Sequence, residues 1–114
     1  MSACLFCQIA EGKLSARIVY EDAHVVAFED INPQAPVHLL VIPRRHIPST
    51  AELAEADQEL MGRLLWVASR LAREREAASR GYRLVLNCGP DAGQSVFHVH
   101  VHLLAGRHLG WPPG

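Results

Sequence analysis

The sequence predicts an α+β domain built on a five-stranded antiparallel sheet, with one long helix and a short N-terminal helix. Five short segments are rich in β-branched and other apolar residues, and most are joined by connections of hairpin length. One long segment repeats its apolar residues at helical spacing, which predicts a dominant helix. Strands joined by short turns favour antiparallel pairing. For a chain of 114 residues we expect a single domain, residues 1–114.

The first half of the chain contains a short helical turn and three strands. The turn covers Cys4–Glu11 and ends at a glycine. Strands at Ile18–Glu21 and Val25–Glu29 are separated by only three residues, so we expect them to form a hairpin. The segment His38–Ile42 is almost wholly apolar, which is typical of a central strand, and Pro43 ends it.

The second half contains the long helix and two further strands. Ser49 and Glu52 have the spacing of a capping box, which predicts that a helical region begins there. The apolar stripe of this region consists of Leu60, Leu64, Val67 and Leu71. Strand-like segments follow at Tyr82–Leu86 and Phe97–Leu104, joined by a turn-rich loop.

Composition and charge exclude several classes of protein. The 11 basic and 12 acidic residues give a net charge of -1, which argues against a nucleic-acid or membrane-surface partner. The start of the chain lacks the pattern of a secretory signal, and no apolar run approaches membrane-spanning length. Three cysteines, an odd number, fit a reducing compartment better than a disulfide framework. We therefore expect a cytoplasmic protein.

The last predicted strand carries three histidines in strict alternation with apolar residues. Alternation sends His98, His100 and His102 to one face of the strand, and sends the apolar residues from Phe97 to Leu103 to the other. We expect the apolar face in the core and the histidines in an accessible cleft. Histidines next to each other on this face lie about 7 Å apart, whereas an imidazole–metal bond is about 2.1 Å. This spacing disfavours one metal ion shared by all three and favours a neutral, nucleophilic imidazole at the middle position.

The loop before this strand contains groups that phosphate chemistry uses. Gly89 and Gly93 allow backbone amides to approach an anion closely. Gln94 and Ser95 add neutral hydrogen-bond donors beside the histidines. Such glycines also serve ordinary turns, but the direct junction with the histidines favours a phosphate site.

Three segments carry a resemblance to a known family. The run from Asn87 to Leu104 resembles the signature of the histidine triad superfamily, and Asp30–Pro43 resembles its upstream half. The ending Gly106–Gly114 looks like that of the histidine triad nucleotide-binding (Hint) branch. The resemblance implies the fold predicted above, with the sheets of two subunits joined in a homodimer. It also implies a C-terminal tail, residues 105–114, that reaches the partner.

The resemblance further implies hydrolysis of a purine nucleoside 5′-phosphoramidate, typically of AMP, through a covalent nucleotidyl-histidine. His100 would attack the α-phosphorus, His102 would contact the phosphate oxygens, and His38 would support His100. The implied catalytic residues are His100, His102, His98, His38 and Ser95. One alternative is a dinucleoside polyphosphate hydrolase or nucleotidyl transferase. Another is a regulatory nucleotide-binding protein whose hydrolysis is incidental.

The implied polar contacts to the nucleotide come from the loop and from the upstream segment. The Gly93 amide and Gln94 would hold phosphate oxygens, and Ser95 would lie near the leaving group. Asp30 would accept hydrogen bonds from the ribose hydroxyls, with Asn87 near the sugar and phosphate. His100 and His102 complete this part of the nucleotide site.

The remaining implied contacts involve apolar residues. The base would lie among Phe6, Phe28 and Ile31, for which ordinary core packing is an equal alternative. Trp111 in the tail would influence specificity for the leaving group. The long helix and the Tyr82–Leu86 strand would form the twofold contact of the homodimer.

Cys4 and Cys7 form a C-x₂-C pair, which is half of a common zinc site. The sequence has no second pair of the usual spacing, so two small residues in a buried turn are an equal alternative. Some histidine triad proteins with such a pair hold a structural zinc, and the resemblance implies that His46 and His98 complete its ligands. Four protein ligands make a closed, structural site, so catalysis itself would need no cofactor.

Overall fold

The described part of the chain, residues 3–114 in a computed structural model, is built on one five-stranded sheet. In chain order the elements are α1 (Leu5–Ala10), β1 (Ile18–Glu21), β2 (Val25–Glu29), β3 (Val37–Pro43), α2 (Gln58–Glu74), β4 (Tyr82–Val85) and β5 (Val101–Ala105). The strand order is β1-β2-β3-β5-β4 and every pairing is antiparallel, which confirms the predicted fold class. Within residues 3–114, no helix has the length and apolar character needed to span a bilayer.

The core has two parts, one on each face of the sheet. The larger part lies under α2, which buries Leu64, Val67 and Leu71 as its sequence stripe predicts. The smaller part lies under α1 and contains Phe6, Val26, Phe28, Leu40 and Ile42. Successive side chains of a strand point to opposite faces, so β3 contributes alternate residues to both parts. Burial on both faces explains why the sequence of β3 is almost continuously apolar.

The long helix begins later than predicted. Ser49 precedes a single 3₁₀ turn, Thr50–Glu52, and its side chain makes no cap hydrogen bond. Leu53 and Ala54 are extended, which interrupts the helical backbone, and α2 begins only at Gln58. The predicted capping box was therefore wrong.

The last strand also begins later than predicted, at Val101 instead of Phe97. Pro43, at the end of the neighbouring strand, has no N–H with which to extend the ladder. The N–H of Val99 donates to the carbonyl of Ile47 instead, at 2.7 Å. The ladder with β3 therefore stops at Val101, although Val99 still lies in the core with Val101 and Leu103. Phe97, which we expected in the core, is 54% exposed.

Candidate active site

The three histidines of the final segment occupy two different places. His100 and His102 line an open pocket of about 360 Å³ between α1 and the sheet. The ring of His98 is 0% exposed and lies against Cys4, the N-cap of α1, and Cys7 within that helix. The expectation that His98 places its ring in the catalytic cleft was therefore wrong. Its ring shares a face with that of His100, because Phe6 packs edge-on against both rings, but at this end of the segment the face meets the two cysteines instead of the open pocket.

His100 is held so that one of its ring nitrogens keeps a lone pair. Its Nδ1 lies 2.7 Å from the carbonyl oxygen of His98. A carbonyl oxygen only accepts hydrogen bonds, so Nδ1 carries the proton and, in the neutral ring, the lone pair is on Nε2. The ring is 5% exposed and packs edge-on against Phe6, with centroids 5.0 Å apart. This arrangement prepares Nε2 to act as a nucleophile.

A chain of hydrogen bonds fixes the proton of the neighbouring His102. The backbone N–H of Gln34 donates to Nδ1 of His38 at 3.0 Å, so His38 carries its proton on Nε2. That nitrogen lies 2.9 Å from Nδ1 of His102 and 3.4 Å from a carboxylate oxygen of Asp30. His102 therefore accepts at Nδ1 and carries its own proton on Nε2. The rings of His100 and His102 lie 5.0 Å apart, one with a lone pair and the other with a donor.

Burial keeps the imidazoles of His38 and His102 neutral by lowering the pKa of each ring. Burial, together with the nearby His100 and His38 rings, lowers the pKa of His102 to about 4, although the carboxylate of Asp30 opposes the shift. Burial also lowers the pKa of His38, although the carboxylate of Asp30 opposes the shift. At pH 7 the rings of His38 and His102 are therefore neutral, which is the protonation state that their hydrogen bonds require.

Asp30, His38 and His102 bring their ligand atoms within 4.8 Å of one another, which is close enough for a metal ion. Nδ1 of His38 already accepts the Gln34 N–H, so the nitrogen facing the other two residues carries a proton. A protonated nitrogen has no lone pair for a metal. The group therefore works as a hydrogen-bond relay.

The second group, Cys4, Cys7, His46 and His98, fits a tetrahedral zinc ion. Zinc bonds of about 2.1 Å to nitrogen and about 2.3 Å to sulfur place ligand atoms about 3.3 to 3.8 Å apart. The two Nδ1 atoms are 3.3 Å apart, and the sulfur–nitrogen distances are 3.3 to 3.5 Å. Nε2 of His98 donates to the carbonyl of Pro43 at 2.8 Å, which leaves its Nδ1 free to be a ligand.

The glycine loop uses its amides internally. The Gly93 N–H donates to Pro90 and the Gln94 N–H to Gly89. The side-chain amide of Gln94 accepts from the Gly89 N–H and gives its two protons to the carbonyls of Pro48 and Val96. The expectation that the Gly93 amide and the Gln94 side chain hold phosphate was therefore wrong. Both groups stabilise the loop itself.

The other residues expected at the nucleotide site divide into two sets. Those that line the pocket with His100 and His102 are Phe6, Phe28, Asp30, Ile31 and Ser95. Asn87 and Trp111 are outside the lining: Asn87 is half-buried in the loop after β4, and Trp111 is 85% exposed in the tail. Arg83 fixes that tail through the carbonyls of Leu109 and Gly110, at 3.4 and 2.7 Å.

Sequence reasoning missed three kinds of contributor to this site. Leu5 and Ile9 on α1 line the pocket, and their i,i+4 spacing was the signal that could have placed them there. Val96 also lines it, although the sequence suggested no role for it. The Gln34 N–H and the carbonyls of Pro43 and His98 set the ring protons. Backbone groups of this kind leave no signal in a sequence.

The fold and the cleft together define a class of small α+β proteins that present a pair of histidines to an open pocket. The chain belongs to the HIT domain family, whose model matches residues 11–109.

Relatives match the chain over almost its whole length. An uncharacterised HIT-like protein of Synechococcus elongatus is 47% identical over 96% of both chains. A 14 kDa zinc-binding protein of Zea mays is 46% identical over 99% of this chain and 89% of its own. A HIT family hydrolase from Legionella pneumophila superposes with a TM-score of 0.96 and is 48% identical, over 97% of this chain and 99% of its own. This chain therefore has the fold of the HIT family hydrolases.

Proposed function

We propose that this protein hydrolyses purine nucleoside 5′-phosphoramidates, typically AMP-amines, with His100 as the nucleophile. The hydrogen bond from Nδ1 of His100 to the carbonyl of His98 carries the proposal, because it leaves a lone pair on Nε2. The N–H on Nε2 of His102, whose ring centroid lies 5.0 Å from that of His100, also supports the proposal. The Legionella pneumophila relative, which is named a hydrolase, supports the reaction class.

The reaction proceeds in two steps. In the first, Nε2 of His100 forms a bond to the α-phosphorus and the P–N bond breaks. The departing nitrogen keeps the electron pair and takes a proton from solvent water, while the N–H on Nε2 of His102 donates to a phosphate oxygen and the Ser95 hydroxyl lies beside the leaving group. In the second, the hydroxide left by that proton transfer attacks phosphorus and the bond to His100 breaks, which returns the lone pair to Nε2 of His100. His38 holds His102 in the required tautomer throughout.

The nucleotide occupies the pocket next to His100. The base packs among Phe6, Phe28 and Ile31, of which Ile31 is 98% exposed at the mouth of the pocket. Asp30 accepts hydrogen bonds from the ribose hydroxyls. Its carboxylate already accepts the Asn32 N–H at 2.8 Å, and a carboxylate has about four lone-pair positions, so capacity remains for ribose.

We also propose that Cys4, Cys7, His46 and His98 hold a structural zinc, which stabilises the fold and takes no part in the reaction. The distances between the ligand atoms and the name of the Zea mays relative support this assignment.

We also propose that the protein forms a homodimer and is cytoplasmic. β4 lies at an edge of the sheet and α2 exposes Leu65, so both elements have surface available for a second copy. The tail carries an exposed Trp111 that would reach the partner's pocket and influence the choice of leaving group.

Rates on AMP-amine phosphoramidates, GMP analogues and diadenosine polyphosphates test this function. We expect the phosphoramidates to have the highest kcat/KM. We expect His100→Ala to lower kcat by at least about 10³-fold while AMP binding remains measurable. The exposed His24 provides the matched control, since His24→Ala should leave the rate unchanged. A higher kcat/KM for diadenosine polyphosphates, or near-native turnover by His100→Ala, contradicts the proposal.

A further inference from the structure

His98 is the residue through which the cysteine–histidine cluster contacts the reaction centre. Its Nδ1 lies 3.5 Å from the sulfur atoms of both Cys4 and Cys7 and 3.3 Å from Nδ1 of His46. Its backbone carbonyl accepts the proton on Nδ1 of His100 at 2.7 Å. The ring and the carbonyl of a single buried residue therefore connect the two sites.

The carbonyl of His98 and the N–H of Val99 belong to the same peptide group. The ladder of β3 and β5 begins only at Val101, so the sheet does not fix the orientation of this peptide group. The Val99 N–H donates to the carbonyl of Ile47 at 2.7 Å, which is one of the shortest backbone hydrogen bonds outside the helices and strands of residues 3–114. Since a peptide group is planar, the Ile47 contact also aims the His98 carbonyl at His100.

The two residues that hold this peptide group in place, His98 and Ile47, both adjoin the cluster. His98 is a member of it, and Ile47 directly follows another member, His46. When the four side chains are held together, the chain at residues 46–47 is fixed against the chain at residues 98–99. When they separate, the hydrogen bond from Val99 to Ile47 and the acceptor for His100 lose their support.

We propose that the Cys4–Cys7–His46–His98 cluster positions the catalytic imidazole, by fixing the peptide group whose carbonyl holds the proton of His100 on Nδ1. His98 is thus a positioning residue for His100. The inference rests on the proposed function only in naming His100 as the nucleophile. Opening the cluster releases that proton to either nitrogen, so a fraction of the rings has no lone pair on Nε2. None of the four cluster residues lines the pocket that binds the nucleotide.

A purely structural cluster and a positioning cluster give different results. Loss of a purely structural cluster lowers the free energy of unfolding and leaves kcat of the folded fraction unchanged. Loss of a positioning cluster lowers kcat of the folded protein, with little change in its affinity for AMP. It also changes the ring-nitrogen NMR signals of His100, which report the tautomer directly in the absence of substrate.

The test compares the zinc-loaded wild type with His46→Ala and His46→Cys. His46 is exposed and contributes a ligand atom, so the Ala variant opens the cluster without changing a residue of the pocket, whereas Cys restores a zinc ligand. We expect His46→Ala to lose zinc, to show both tautomers of His100, and to lower kcat by about tenfold with AMP affinity within about twofold. We expect His46→Cys to retain zinc, the single tautomer and the rate. His24→Ala controls for removal of an exposed histidine.

Three results would overturn the inference. They are a wild-type protein that binds no zinc when zinc is supplied, a single His100 tautomer in His46→Ala, or full kcat in that variant. If His46→Ala does not fold, wild type treated with a chelator takes its place, with the same NMR readout. A wild type that fails to cleave phosphoramidates contradicts the proposed function alone, because the His100 signals still show whether the cluster controls the ring.

Discussion

The amide of Gln94 offers a sharp test of what holds the loop beside His100. Its side chain is 6% exposed and makes three hydrogen bonds, with the Gly89 N–H at 2.9 Å, the Pro48 carbonyl at 2.7 Å and the Val96 carbonyl at 3.1 Å. Hydrogen bonds of this kind contribute about 1 kcal/mol each, so Gln94→Ala should lower the free energy of unfolding by about 3 kcal/mol. That is a large part of the stability expected of so small a domain, about 6 to 17 kcal/mol.

Urea unfolding measures this loss. For a slope of about 2 kcal/mol per molar urea, the midpoint should fall by about 1.5 M. Gln58, an exposed glutamine at the start of α2, provides the matched control, and Gln58→Ala should stay within about 0.5 kcal/mol of wild type. In the folded fraction of Gln94→Ala, we expect lower turnover because the displaced loop carries Ser95.

The opposite result would restore the role that the sequence suggested for Gln94. If its amide holds phosphate directly, Gln94→Ala should weaken AMP binding by about tenfold, which is about 1.4 kcal/mol, while the urea midpoint stays at the wild-type value. Unchanged stability together with weakened AMP binding would thus refute the internal role of Gln94.

Two further predictions concern pH and the tail. The pKa of His102 falls from its ordinary 6.5 to about 4 on folding, so between these values the unfolded chain binds the proton and the folded chain does not. The free energy of unfolding should therefore decrease by about 3 kcal/mol as the pH falls from 6.5 to 4. In His102→Gln this contribution should be absent, so stability should decrease less over the same range. An identical pH profile for the variant would contradict this reasoning. Removal of residues 109–114 deletes Trp111 and should change the ratio of kcat/KM between bulky and small leaving amines by about tenfold. An unchanged ratio would exclude Trp111 from the choice of leaving group.

The sheet and the long helix were predictable because each depends on a repeated local pattern. Ile18–Glu21 and Val25–Glu29 are strands with the predicted bounds, since a three-residue turn between two apolar runs leaves few alternatives. The start of α2 was not predictable from Ser49 and Glu52. Their capping signal competes with the extended conformation of the residues that follow, and it produces only one 3₁₀ turn.

The candidate site was predictable as a set of residues but not as an arrangement. His38, His100 and His102 lie together as the motif suggested, because β3 and β5 are neighbours in the sheet. The roles of Gly93 and Gln94 depend on which backbone carbonyls lie within reach of them. Those distances arise from tertiary packing, and no residue type encodes them.

The end of the β3–β5 ladder explains why two sites adjoin each other in so small a chain. Side-chain alternation continues beyond the ladder, because Val99 lies in the core with Val101 and Leu103 while Phe6 packs against the rings of both His98 and His100. His98 therefore shares a face with His100 and meets Cys4 and Cys7 at the end of that face. Because Pro43 cannot extend the ladder, the His98 carbonyl lies outside the sheet, where it accepts the proton of His100. Continued alternation thus supplies the fourth member of the cluster, and the end of the ladder supplies the acceptor that orients the candidate nucleophile.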